Sequence, residues 1–212
     1  MSRNTTSAAR PIFVFAPGAG APSTSEWMRA WASRLGALGD VEPFDYPYMK
    51  AGRKSPDRPP VLLAAHLDAV GRARVKYGDA RPLVLAGKSM GSRVGCHAAV
   101  ALAATGAPVT ANVCFGYPLR AASSGAMRDE VLRALTTPVL FVQGTRDPLC
   151  DLAELATVRA QMTAPSQLFV VDGGDHSLRV GVKQLKTQGK RQEDWDAAVL
   201  DAVRTFLALP AA

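Results

Sequence analysis

Pro82-Leu83-Val84-Leu85-Ala86-Gly87-Lys88-Ser89-Met90-Gly91 reads as a strand running into a tight turn. Five residues without a charge, continuous rather than alternating, predict a strand buried on both faces, as in a parallel sheet covered by helices. The next five residues spell G-x-S-x-G, and the small residues from Ser92 to Thr105 predict the helix that follows. In that context the pentapeptide marks a strained strand-to-helix turn that lifts a serine hydroxyl above the sheet. Glycines two residues either side of Ser89 relieve crowding where a Cβ would meet neighbouring backbone. The helix N-terminus beneath favours developing negative charge. A P-loop reading of Gly87-Lys88-Ser89 fails, because that motif needs glycine at position 82, which is Pro82.

Outward from this stretch, the chain alternates between strand and helix. Ile12 to Ala16 predicts a strand closed by Pro17-Gly18-Ala19-Gly20, followed by a capping box, Ser23-Thr24-Ser25-Glu26, and a helix with Trp27, Trp31, Leu35 and Leu38 on one face. Val41 to Tyr48 predicts a weaker strand interrupted by Pro43. Lys50 to Pro60 reads as a loop, and a helix opens at Pro59 or Pro60 and runs through Tyr77. Ala111 to Phe115, Val139 to Val142 and Leu168 to Val171 complete six strands. Helices are expected over residues 125–135 and 151–162 and in the segment carrying Trp195, Val199, Val203 and Phe206. The expected class is α/β: one domain spanning 1–212, a doubly wound and mainly parallel sheet of about six strands, with 1–10 as a flexible tail.

The 212 residues are 48% hydrophobic and 20% charged, which is a globular composition and neither disordered nor fibrous. No apolar run approaches membrane-spanning length and no secretory h-region opens the chain, so a cytoplasmic location and no membrane partner are expected. Cys96, Cys114 and Cys150 have neither metal-ligand nor disulfide spacing; Cys96 and Cys114 read as small buried hydrophobes, and Cys150, three residues beyond Asp147, as a helix-start residue near the candidate site that needs no function. The net charge of +7 is concentrated: Arg179, Lys183, Lys186, Lys190 and Arg191 stand in thirteen residues without an acid. No aromatic residue interleaves them, so this segment is expected to be a solvated loop, and nucleic acid is disfavoured as a partner.

An activated serine needs a base and a group that orients the base. The chain has three histidines. His66 falls within an apolar helix, and His97 lies two turns down the elbow helix, roughly 12 Å from Ser89. His176, in the turn Gly173-Gly174-Asp175-His176-Ser177 after the last strand, is the candidate base. The orienting carboxylate is expected after the preceding strand at Asp147, with Asp175 as its rival and Asp151 as a helix cap. For an oxyanion hole the Met90 N–H follows the nucleophile directly. The second donor is expected from the first strand's turn, at Ala19 with Gly20 as alternate. No metal or cofactor is required by such chemistry.

Strand–GKSMG–helix, strand–GTRDP and strand–GGDHS, in that order, resemble the α/β-hydrolase superfamily over essentially the whole chain. Gly87-Lys88-Ser89-Met90-Gly91-Ser92-Arg93 and the compact layout resemble the group that contains testis-expressed protein 30 and NSL-complex subunit 3. There is also likeness to dienelactone hydrolases, but these use a cysteine where this chain has Ser89. The resemblance implies a triad of Ser89, Asp147 and His176 acting on a small-molecule acyl substrate, and a lidless core with strand order 4-3-5-6-7-8 in the superfamily's labels. One departure is Pro17-Gly18 at a turn where relatives carry His-Gly. The expected activity is cleavage of an ester, thioester or similar acyl compound. The rival from another class is a non-catalytic interaction scaffold, against which the complete Ser, Asp and His set argues. Five further residues carry expectations. Arg93 is expected to have a structural carboxylate partner, with a substrate anion second. Lys88 is expected to point away from Ser89 in a surface or packing role, and Trp27, Trp31 and Trp195 are expected in the core.

Overall fold

A computed structural model describes residues 10–208; the expected tail lies outside this range except for Arg10. The elements follow in the order β1 (Ile12–Ala16), α1 (Glu26–Gly36), β2 (Asp40–Pro43), α2 (Pro47–Lys50), α3 (Pro59–Tyr77), β3 (Leu83–Lys88) and α4 (Met90–Ala104). They continue with β4 (Ala111–Phe115), α5 (Glu130–Ala134), β5 (Val139–Gly144), α6 (Leu152–Arg159), β6 (Ser166–Val171), α7 (Val182–Gln188) and α8 (Gln192–Ala208).

The six strands form one parallel sheet in the order β2-β1-β3-β4-β5-β6. Every residue of β1, β4 and β5 is buried, which is why these strands are continuous apolar runs. Alternate residues feed two cores. Ile12, Val14, Leu85, Cys114 and Phe141 face α3, α4 and α6. Phe13, Phe15, Val84, Val113 and Leu140 face α1 and α8. The chain steps from β1 outward to β2, then crosses back to place β3 on the other side of β1. The strand order therefore reverses between β1 and β3, and the crevice above their carboxyl ends is where such sheets bind ligands.

Four local expectations are corrected. The second strand ends at Pro43, not Tyr48. Proline cannot donate to the ladder, and Phe44, Tyr46 and Tyr48 turn their buried rings into the α3–α4 core, with Pro47 opening α2. The helix expected over 125–135 is only Glu130–Ala134, because Gly125 adopts φ 67° and the chain before it bridges Arg120 to Met127. The basic segment is not simply a loop. Residues 182–188 are helical, closed by Gly189 in the left-handed region at φ 61°, with Gln184 and Gln188 both donating to Asp172. The capping box does not form either: α1 begins at Glu26 with Ser25 as N-cap and no side-chain cap bond, while the Ser23 N–H donates to Asp45 Oδ1 at 2.6 Å. No lid is inserted between β4 and β5, where α5 is the only helix.

Candidate active site

The turn after β3 is as tight as its glycines imply. Ser89 adopts φ 51° and ψ −116°, a strained conformation for a residue with a side chain. A Cβ on Gly87 would stand 2.5 Å from the Gly91 carbonyl carbon, and one on Gly91 would stand 2.5 Å from the Ala16 carbonyl oxygen. Helix α4 therefore starts in contact with the ends of both β1 and β3. The Ser89 N–H donates to the Phe115 carbonyl at 2.9 Å, which ties the turn to β4 as well. Ser92 closes it from below, its hydroxyl donating to the Ser89 carbonyl at 2.6 Å.

Asp147 follows β5. Its carboxylate is fully buried and accepts the Leu149 N–H at 2.9 Å. His176 follows β6, and its Nδ1 lies 2.8 Å from Asp147 Oδ2 and 3.0 Å from Oδ1. Its Nε2 is 2.8 Å from Ser89 Oγ. Ser89, Asp147 and His176, each expected at a different strand end, are thus brought together. His176 therefore spans the two, with one ring nitrogen on the Asp147 carboxylate and the other on the Ser89 hydroxyl. Asp175, the rival carboxylate, is occupied within its own loop by the Ser177 and Arg179 N–H groups at 2.7 and 3.0 Å. Asp151 caps α6 through the Ala153 and Glu154 N–H groups.

The two loops are stitched to one another. Thr145 N–H donates to Val171 O and Arg146 N–H to Gly174 O, while Gly173 N–H returns a bond to Thr145 Oγ1 at 2.7 Å. A Cβ on Gly144 would come within 2.1 Å of Gly174 O, and one on Gly116 within 2.7 Å of His176 O. Gly116, at φ 61°, ends β4 and makes room for the histidine.

Met90 is the first residue of α4, where no carbonyl of the helix is available to its N–H. Gly18 abuts Ser89, since a Cβ there would be 3.4 Å from Ser89 Cβ, so the turn holding Ala19 stands beside that residue. The Tyr48 hydroxyl fixes this turn by donating to Ala19 O at 2.9 Å. A largely apolar cavity of about 370 Å³ opens next to it, lined by Ala19, Gly20, Pro22, Tyr48, Met49 and Lys54.

Sequence reasoning assigned Trp27 to the core only. Its ring does pack against Phe15 and Phe115, but its Nε1 also donates to Ser177 O at 2.9 Å, which holds the histidine loop from across the sheet. Lys88 keeps its expected packing role, with Nζ 5.3 Å from the centre of the Trp27 ring. Burial lowers its pKa, against a smaller raising effect of Asp175 and Asp147. Gln143 was also missed. Its side chain closes a two-way bond with the Tyr117 backbone at 2.8 and 3.0 Å, joining β5 to the segment after β4; a glutamine ending an apolar strand was the available signal.

The remaining histidines stand apart. His66 is wholly buried with Nδ1 3.2 Å from the Tyr46 hydroxyl, and burial pushes its pKa down to about 3. His97 is exposed on α4 near Arg93. All three thiols are buried; that of Cys150, beside the Asp147 turn, is pushed up to about 12 chiefly by burial. Arg93 does not have the carboxylate partner expected for it among the described residues. Among those residues no group of three or more His, Cys, Asp or Glu side chains is arranged to hold a metal ion, and no helix is long and apolar enough to cross a membrane.

Comparison with known structures finds the same fold repeatedly. A lidless α/β serine hydrolase from Xanthomonas campestris is 18% identical, with 99% of this chain and 88% of that one covered at a TM-score of 0.66. The RedJ thioesterase of the prodiginine pathway in Streptomyces coelicolor is 22% identical over 80% of this chain and 79% of its own, at 0.58. A metagenome-derived lipolytic enzyme covers 94% of both chains at 12% identity and 0.67. The family model described as the alpha/beta hydrolase domain matches residues 9–208. With its parallel sheet, its strand-to-helix turn at Ser89 and this match over nearly its full length, the chain belongs to the α/β-hydrolase family.

Proposed function

We propose that this protein is a serine hydrolase that cleaves an ester, thioester or similar acyl compound through Ser89, His176 and Asp147. The observation that carries the reading is the position of His176, with one ring nitrogen 2.8 Å from Ser89 Oγ and the other 2.8 Å from a buried Asp147 carboxylate. His176 takes the hydroxyl proton as Ser89 Oγ attacks the carbonyl carbon, and Asp147 holds the tautomer and stabilises the imidazolium. The Met90 N–H and the Ala19 N–H receive the developing oxyanion, with Gly20 as alternate donor. His176 then passes its proton to the leaving alcohol or thiol. A water deprotonated by the same nitrogen releases the acyl group.

The absence of an inserted lid leaves the crevice open, and the cavity beside Ala19 is modest, which favours small or accessible acyl groups over long lipid chains. The serine hydrolase and thioesterase neighbours support the same reaction class. The test is a panel of acyl esters and thioesters with the parent, Ser89→Ala and Asp147→Asn. Asp147→Asn is expected to retain the fold and lower kcat by about 10⁴-fold, because the amide holds the wrong tautomer. Turnover that survives Ser89→Ala contradicts the assignment.

A further inference from the structure

Arg93 lies in the first turn of α4, where its positive charge opposes the helix dipole. Its backbone N–H donates to the Ser89 carbonyl, so it stands one helical turn from the nucleophile. Nothing among the described residues offsets this cost. The guanidinium Nε is buried without a hydrogen-bond partner, and among the described residues the group's side-chain hydrogen bonding is limited to His97 Nε2, 3.5 Å from Nη1. A second cation lies near enough to act on it electrostatically. Arg128, on the segment after β4, makes no ion pair among the described residues; burial lowers its pKa, and the like charge of Arg93 adds to that. The neighbouring carboxylates do not neutralise the pair. Asp129 is bound to Arg133 at 2.6 Å, and Glu130 influences His97 without forming an ion pair with either arginine.

Like charges disfavour one another, and an anion held between them relieves that cost. Beside Arg93 lies an apolar cavity of about 240 Å³ whose walls are Pro59, Pro60, Leu62, Leu63 and Val94. Charge and hydrocarbon therefore meet at one place, on a residue one helical turn from Ser89. We propose that Arg93, with Arg128 as a nearby second cation, forms a subsite for an oxyanion, a carboxylate or phosphate joined to a short hydrocarbon segment of the acyl substrate. A planar guanidinium fork matches either group with paired hydrogen bonds. The assignment of the ligand as substrate rests on the acyl-hydrolase reading above; the anion site itself does not.

Two measurements separate these. The first is hydrolysis of the para-nitrophenyl esters of succinate and butyrate, which differ by a terminal carboxylate in place of a methyl. The ratio of kcat/KM for the charged ester to that for the neutral one is expected to fall about tenfold in Arg93→Gln, the effect of one lost charge-assisted contact. A fall in the same direction is expected in Arg128→Gln, with Arg93→Lys intermediate. The second is calorimetric titration of the Ser89→Ala protein with succinate and with inorganic phosphate, which distinguishes the two anions. Binding is expected for at least one, lost when Arg93→Gln is added. A ratio unchanged in both glutamine variants, or equal losses for the two esters, overturns the subsite. If Arg93→Gln does not fold, Arg128→Gln and Arg93→Lys decide by the same ratio. If the parent hydrolyses neither ester, the catalytic reading falls and the titration alone decides: no heat from either anion overturns the subsite, and heat that depends on Arg93 upholds it.

Discussion

Ser89 is held at φ 51° by contacts that are nearly all backbone. The methyl of Gly91→Ala would meet the Ala16 and Pro17 carbonyls at 2.5 and 2.6 Å, and neither can move without separating β1 from α4. Gly91→Ala is therefore expected to lower stability by at least about 2 kcal/mol in chemical denaturation, the cost of overpacking a rigid site. Gly20→Ala, with open space around it, is expected to change stability by less than about 0.5 kcal/mol. His66 gives a pH dependence of known sign. Its pKa falls from the ordinary 6.5 to about 3 on folding, so below pH 6.5 the unfolded chain binds a proton that the folded one does not. The contribution is complete above 6.5 and is lost as pH falls toward 3, by up to about 1.4 kcal/mol per pH unit. Denaturation of the parent and of His66→Phe from about pH 7 to about pH 4 is expected to show a steeper loss in the parent. Parallel curves contradict it.

At the scale of elements, the site depends on how the loops after β5 and β6 are tied, and Trp27 of α1 is the tie from outside. Trp27→Phe keeps an aromatic ring beside Phe15 and Phe115 but removes the N–H that holds Ser177 O. If His176 acts as proposed, kcat is expected to fall about tenfold with KM little changed, because a loosened base misplaces the proton transfer without altering substrate contacts. A change confined to KM contradicts this positioning role. The strands and their ends were legible in the sequence because apolar runs stopped by glycine have few other uses in a parallel sheet. The ends at Pro43 and Gly125 were not, since aromatic alternation at Phe44, Tyr46 and Tyr48 resembles a strand until tertiary packing turns it, and a glycine does not announce a positive φ. Helix α7 escaped notice because its basic residues masked Val182 and Leu185 and the terminating Gly189. The contacts of Trp27 with Ser177 and of Gln143 with Tyr117 span 150 and 26 residues, and local patterns carry no trace of such distances.

At the scale of the molecule, two cores clamp one sheet, and the reversal between β1 and β3 opens the crevice in which Ser89 stands. The cluster of Trp27, Trp31 and Phe115 joins α1 to the central strands. Trp31→Ala is expected to cost about 3–5 kcal/mol, as for other buried aromatic truncations, read by denaturant unfolding. The three candidate residues, at positions 89, 147 and 176, were separately legible because each follows a recognisable strand. That they belong to one set was implied by the resemblance carried by the three motifs in that order. Arg93 went the other way: the sequence raised the question of its partner, and among the described residues the fold leaves it without a carboxylate. The most direct test of the central claim is labelling with a fluorophosphonate probe, read by intact mass, on the parent, Ser89→Ala and His176→Ala. Stoichiometric labelling of the parent that disappears in both variants is predicted. A folded parent that stays unlabelled contradicts an activated serine and moves the scaffold reading into its place.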